Sequence, residues 1–306
     1  MRESEFIKLF ASIHGTAPYA ADAEIVGRGN GFELFSTDSF SETDDFFTRT
    51  PPETIGRNLA AGACADLLAC GVRPELLLQS WNIDGSKGEG YYRSIAEGIE
   101  KVLQHYGAKC IGGDIGTALP WCWTATVAAH SAVPPVTRIA RERVPFDLYI
   151  SGGMGRANLA MFRNDPMPEI PLRGPVPPEA LFATDTSGGF FDALENIRRV
   201  NRGMVLEFES GDAVSPEVFE KLPEGFDPLW SLIGGVGEYE LLFAMPRGTR
   251  ADGVKIGEGG FRDGTGNDFR FKPGGCMKSA PPDYRNTPPE DRLAVTRTYL
   301  QELLRP

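Results

Sequence analysis

The sequence predicts an α/β N-terminal domain followed by an α+β C-terminal domain, with the boundary at residue 140 (domains 1–140 and 141–306). Three observations predict it. Residues 54–70 and 91–106 carry a helical period and are set between β-like runs. An adjacent pair of strands follows the second helix, so alternation gives way to direct strand succession. Pro134-Pro135 and the polar stretch 138–145 then interrupt the pattern before a new strand begins at 147. A chain of 306 residues is long enough for two domains with separate cores.

Composition narrows the function classes. A hydrophobic content of 41% and a charged content of 24% are those of a soluble globular protein. No apolar run has membrane-span length, and Met1-Arg2-Glu3-Ser4-Glu5 lacks a signal-peptide pattern, so no membrane role is expected. The net charge of -11 speaks against a nucleic-acid partner, because such binding needs basic surface to displace counterions. An acidic protein that handles phosphates needs divalent cations as intermediaries. The five cysteines (Cys64, Cys70, Cys110, Cys122, Cys276) show no CxxC spacing, and four lie in apolar segments, which fits a reducing cytoplasm. The scattered histidines His14, His105 and His130 do not suggest a zinc site.

In chain order, residues 5–12 form a short helix with Phe6, Leu9 and Phe10 on one face. A loop carrying Asp22 leads to a β-like run, 32–37, which closes on Ser36-Thr37-Asp38. Residues 39–52 are acidic and aromatic (Asp44, Asp45, Phe46, Phe47), end in Pro51-Pro52, and read as a loop. The helix 54–70 stops at Gly71 and aligns Ile55, Leu59, Ala63 and Cys70, with Asp66 among them. A carboxylate on an apolar stripe is costly to bury unless it is paired or metal-bound. Either an arginine meets Asp66 at the margin or it is a ligand, and the Ala and Gly content of the helix favours the second.

Residues 75–83 read as a strand and 91–106 as an amphipathic helix through Ile95, Ile99, Val102 and Leu103. Cys110-Ile111-Gly112-Gly113-Asp114 then places an aspartate just past a strand, on backbone freed by glycine, where it can meet a ligand; the same residues are also ordinary turn chemistry. The run 121–133 is β-rich. In the second half, strand 147–151 enters Gly152-Gly153-Met154-Gly155 and a helix, and 164–180 is a proline-rich loop. Ala183-Thr184-Asp185-Thr186-Ser187-Gly188-Gly189 precedes an amphipathic helix, where Asp185 or Ser187 is expected as an N-cap or as part of an anion site. Strands are expected at 204–209 and 239–245, a Gly-rich charged stretch at 258–275, and a helix at 289–304.

The familiar phosphate and hydrolase signatures are absent: no Walker A loop, no GxGxxG after a strand, no GxSxG elbow. What remains is Asp22, Asp38, Asp66, Asp114 and Asp185, each at or within an apolar element. Converging carboxylates without histidine or cysteine suit hard cations such as Mg²⁺, which in turn hold polyphosphates.

Phe35-Ser36-Thr37-Asp38, Ala65-Asp66-Leu67-Leu68-Ala69-Cys70-Gly71, Ile111-Gly112-Gly113-Asp114, Asp185-Thr186-Ser187-Gly188-Gly189 and Gly237-Glu238-Tyr239-Glu240-Leu241-Leu242-Phe243 come in the order of the thiamine-monophosphate kinases. The chain thus resembles a divergent member of the AIR synthase (PurM-like) superfamily, over about residues 1–250. The resemblance implies a PurM-like two-domain fold, a homodimer joined through the N-terminal sheet, and a nucleotide cleft between the domains. It implies Mg²⁺ ligands at Asp22, Ser36, Thr37, Asp38, Asp66, Asp114 and Asp185, and ATP contacts at Gly113, Asp114, Arg138 and Ser187. It makes Asp66 and Asp114 the catalytic pair and puts Asp45 and Glu238 at the acceptor. The implied activity is Mg²⁺-ATP-dependent phosphoryl transfer to a small molecule. Alternatives are another ATP-dependent enzyme with a phosphorylated intermediate, or a nucleotide-binding regulator without turnover.

The departures fall mostly on the acceptor side. Ala21-Asp22 replaces two consecutive aspartates, and Gly188 replaces a metal carboxylate. Asp45 stands where the family has a histidine, with Arg49 nearby as a substitute cation, and Gly237-Glu238 replaces Glu-Asp. No counterpart of the family's substrate-covering aromatic is evident near Phe269, Phe271 or Pro273-Gly274-Gly275.

Overall fold

The computed structural model describes residues 3–304, apart from residues 17–18, 46, 223–226, 264–265, 273–274, 278, 280–281 and 283–286. Phe46 and Pro273-Gly274 of the expected acceptor region therefore lie outside the described residues. The elements run α1 (Glu3–His14), β1 (Glu24–Arg28), β2 (Gly31–Ser41), α2 (Pro52–Ala69), β3 (Leu76–Ile83), α3 (Glu89–Tyr106), β4 (Lys109–Thr117) and β5 (Cys122–Ser131). They continue β6 (Phe146–Ile150), α4 (Arg156–Arg163), β7 (Phe182–Asp185), α5 (Phe190–Val200), β8 (Met204–Glu209), α6 (Pro216–Lys221), β9 (Leu241–Pro246), β10 (Val254–Phe261), β11 (Asp268–Lys272), β12 (Gly275–Cys276) and α7 (Pro289–Leu303). No helix among the described residues is long and apolar enough to cross a membrane.

Two mixed sheets organise the chain. The first has the order β1-β2-β5-β3-β4 and the second β12-β11-β8-β10-β6-β9-β7. Between them lies α2, which packs on β2 and β5 of the first sheet and on β7 and β9 of the second. Thirteen of its eighteen residues are buried, against six of eighteen in α3. So α2 is enclosed all round, where its sequence suggests one apolar face. One continuous core runs from Leu59, Leu67 and Val127 to Tyr149, Ala183 and Phe243 of the second sheet.

The glycines of α2 have a local cause. A Cβ at Gly56 would lie 1.9 Å from the carbonyl oxygen of Ile95, so it is α3 that approaches there. Glycine also hid a strand. The Gly-rich stretch 258–275 contains half of β10 and all of β11, and a Cβ at Gly259 would lie 2.4 Å from the Phe146 ring. The ladder needs small residues where aromatic rings of the neighbouring strand cross it.

Two elements are longer than expected, with consequences for the site. β2 continues to Ser41, so Ser36, Thr37 and Asp38 lie mid-strand rather than at its end. β4 runs through Thr117, so Asp114 also lies inside a strand rather than in a turn. The outer face of the first sheet, away from α2, exposes Phe35, Leu76 and Leu78.

Alanine at an exposed helix interior is worth about 1 kcal/mol over glycine. At Gly56 the sign should reverse, because overpacking against backbone costs about 1–3 kcal/mol. Urea unfolding of Gly56→Ala is expected to show a lower midpoint at unchanged m-value; a higher midpoint would contradict the close α2–α3 packing.

Candidate metal and nucleotide site

Three carboxylates meet at the junction of the two sheets. Asp22 precedes β1, Asp66 lies in the last turns of α2, and Asp185 ends β7; one oxygen from each falls within 4.8 Å of the others. Arg138 pairs directly with only one of them. Its Nη2 donates to Asp22 Oδ1 at 2.5 Å and its Nε to Thr184 Oγ1 at 3.0 Å, while Thr184 Oγ1 donates to Asp22 Oδ1 at 2.9 Å. Ser36 Oγ donates to Asp66 Oδ2, and Ser187 Oγ donates to Asp185 Oδ1 at 2.9 Å. Asp22 Oδ2 and Asp185 Oδ2 are buried without a hydrogen-bond partner.

The electrostatics follow from burial and like charge. Burial pushes the Asp66 carboxyl well above the ordinary range, and the nearby charges of Asp185, Asp38 and Asp22 push it the same way. Asp185 is raised by burial first and then by Asp22, with Arg138 opposing. Buried carboxylate oxygens left without donors are a strong request for a cation. The set is all oxygen, so it fits a hard divalent ion such as Mg²⁺, held by Asp22, Asp66 and Asp185 with Ser36 and Asp38 beside them. Such an ion, when bound, would neutralise phosphate oxygens and the charge that develops on them.

The sheet register separates the remaining expected ligands. Asp38, Ala125, Gln79 and Gly113 form one row, and Ser39, Thr124, Ser80 and Asp114 the next. Successive rows point to opposite faces. Ala125 is buried toward α2, so Asp38 faces the carboxylate trio and Asp114 faces away from it, exposed. Asp66 and Asp114 thus lie on opposite faces of the sheet within one chain. Thr37 also takes the outer face, where its hydroxyl pairs with that of Thr126 at 2.9 Å. Gly113 is dictated by packing, since a Cβ there would lie 1.7 Å from the Gln79 carbonyl oxygen of β3. Neither Asp185 nor Ser187 caps α5: the N-cap is Gly189, at φ 91°, with no side-chain bond. Both side chains are thereby left for the site.

A cleft of about 590 Å³, counting its open mouth, adjoins the trio at Ser187 and is lined by Asp44, Asp45, Arg156, Glu238 and Tyr239 among others. The Asp45 Oδ2 accepts from the Ser41 N–H at 2.7 Å, so this carboxylate also holds the turn after β2. Glu238 is buried and caps α4, its Oε1 accepting from the N–H groups of Gly155 at 2.6 Å and Ala157 at 2.9 Å. Burial pushes its carboxyl up to about 7 against those donors. Arg156 and Thr184 went unnoticed in the sequence; the strand, Gly-rich loop and helix around Arg156 were the available signal.

The raised groups set a pH dependence. A carboxyl raised in the folded state contributes stability that is full below its unfolded value, 3.8 for aspartate, and lost as pH climbs through the folded value. Without divalent cation the melting temperature is therefore expected to fall as pH climbs from the ordinary carboxyl range through about 8, where Asp185 ionises, with Asp66 shifted in the same direction. Added Mg²⁺ is expected to restore it, most at high pH and by about 2.7 kcal/mol at a hundredfold excess over Kd. Asp66→Asn should raise the metal-free melting temperature at high pH and abolish the Mg²⁺ gain. Equal shifts in both proteins would rule out the trio as the metal site.

Residues 21–129 match the family described as AIR synthase related protein, N-terminal domain. Thiamine-monophosphate kinase of Archaeoglobus fulgidus is 26% identical over 298 residues, covering 89% of this chain and 96% of that protein. Its counterpart in Pyrococcus horikoshii is 26% identical over 268 residues, covering 81% and 83%. Among solved structures, thiamine monophosphate kinase from Aquifex aeolicus superposes with a TM-score of 0.72 at 21% identity, over 89% of this chain and 98% of that one. The hydrogenase maturation protein HypE from E. coli gives 0.63 at 17%, over 95% and 99%. The structural likeness is one of fold, and the sequence matches extend it over most of the chain. Residues 21–129 thus carry the AIR synthase-related N-terminal pattern, and over most of its length the chain is similar to thiamine-monophosphate kinases.

Proposed function

We propose that this protein is an Mg²⁺-ATP-dependent phosphotransferase acting on a small-molecule acceptor. The carrying observation is the trio Asp22, Asp66 and Asp185, with two buried oxygens that lack donors. Such a set has little use for an apolar or cationic cofactor, and it suits the metal-bridged phosphates of a nucleotide. The relatives support the reading, being named thiamine-monophosphate kinases, and a structural neighbour, AaThiL, was solved complexed with AMPPCP and TMP. In the reaction the γ-phosphorus bonds to the acceptor oxygen as its bond to the bridging oxygen breaks, ADP leaves with the electron pair, and a hydroxyl acceptor gives up its proton to solvent. In this reading the chain contributes Arg138 and Ser187 as nucleotide contacts, and the cleft beyond Ser187 takes the acceptor. A reducing cytoplasm suits such an enzyme with its free thiols.

The outward-facing Asp114 and Thr37 belong to this proposal through a second copy. Within one chain they are cut off from the trio by the sheet. A two-fold dimer through the outer face would cover Phe35, Leu76 and Leu78 and set Thr37 and Asp114 against the partner's sheet.

Two measurements check the proposal. Calorimetry is expected to show ATP binding only with Mg²⁺, and binding of equal strength without the metal would overturn the metal-bridged site. Light scattering at micromolar concentration is expected to report a dimer, with Leu78→Glu shifting it to monomer. A monomeric wild-type protein that still binds Mg²⁺-ATP fully would remove Asp114 from the site.

A further inference from the structure

The cleft beside the trio carries a charge pattern and a gap that together specify its occupant. Its described lining holds four carboxylates (Asp44, Asp45, Glu169, Glu238) and one guanidinium, Arg156. That guanidinium is shared with Glu217, whose Oε1 lies 3.5 Å from its Nη1. Arg49, the replacement cation that the sequence offers, does not line the cleft and donates to the Asn164 carbonyl at 3.1 Å, and Arg57, 3.1 Å from Glu169, offsets the charge of that carboxylate alone. A phosphomonoester bound here meets an excess of negative charge, on a site whose metal is shared with the nucleotide.

The gap is between Glu238 and Arg156. Glu238 Oε1 is fixed by two backbone N–H groups of α4, which aims Oε2 at a set place. Glu238 Oε2 and Arg156 Nε are both buried, and neither has a hydrogen-bond partner. At 3.9 Å they are too far apart to bond directly, and close enough for one oxygen to bridge them. With Glu238 ionised, the bridging group must donate to the carboxylate and accept from the guanidinium N–H. A hydroxyl does both; a phosphate dianion only accepts, and an ammonium only donates. The segment also abuts the metal end, since a Cβ at Gly237 would lie 2.4 Å from the carbonyl oxygen of Ser187.

We propose that the acceptor is a phosphate-free alcohol, uncharged or cationic, with a hydroxyl seated between Glu238 Oε2 and Arg156 Nε. This rests on the phosphotransferase reading above. It sets the chain apart from the kinases it matches, whose names specify a phosphorylated acceptor.

The experiment follows ADP formation at saturating Mg²⁺-ATP with three alcohols, each paired with its phosphomonoester: thiamine, pyridoxine and glycerol. At least one free alcohol is expected to turn over with kcat/KM at least about tenfold above its phosphorylated form, a difference of about 1.4 kcal/mol. A phosphomonoester that equals or exceeds its alcohol, or no turnover with any alcohol while Mg²⁺-ATP binds, overturns the proposal. Failure of Mg²⁺-ATP to bind at all instead overturns the phosphotransferase reading. Glu238→Gln keeps the capping oxygen and replaces Oε2 by a donor. It is expected to raise the KM for the alcohol at least about tenfold, with Mg²⁺-ATP affinity retained. Parallel loss of nucleotide affinity, or an unchanged KM, would reduce Glu238 to a helix cap.

Discussion

The repulsion among Asp22, Asp66 and Asp185 is the constraint on which the architecture turns. Each carboxylate comes from a different part of the chain: a loop before β1, the end of α2, and the end of β7. Like charges at this distance in a buried setting oppose folding, and Arg138 pairs directly with Asp22 alone while acting on Asp185 at longer range. The rest of the fold holds them together regardless. α2 is clamped between the two sheets, and β7 is paired to β9 in the core that α2 shares. The strain sits where a cation can relieve it, which is how a site for metal-bridged phosphate differs from a structural ion pair.

The first sheet gives the molecule two chemically distinct faces. Its inner face carries Asp38 and the core; its outer face carries Thr37 and Asp114 amid exposed apolar residues. A strand alternates its side chains, so neighbours in sequence such as Thr37 and Asp38 necessarily serve different sides. The cleft beside Ser187 draws on both halves of the chain, with Phe40 of β2 and Asn58 of α2 on one side and Arg156 of α4 and Glu238 on the other.

Much of this was legible in the sequence where local chemistry decided the outcome. Asp66 stood out because a carboxylate on an apolar helix needs a reason, and the reason is the trio. The two long helices were readable from their period. What was not legible depended on register and on distant packing. Nothing local says that β2 and β4 continue past their aspartates, so Asp38 and Asp114 read as strand-end groups of one kind when they face opposite ways. β10 was hidden because its glycines, which signal a loop in isolation, are demanded by Phe146 and Phe208 across the ladder. Glu238 was picked out by its motif, yet its capping of α4 joins segments about eighty residues apart and has no local trace.

The central claim is that the trio is a divalent-cation site. The most direct measurement is an anomalous difference map from crystals grown with Mn²⁺ in place of Mg²⁺. The expected result is a manganese peak bounded by oxygens of Asp22, Asp66 and Asp185. A map without density there, at manganese concentrations that support ATP binding, would contradict the account.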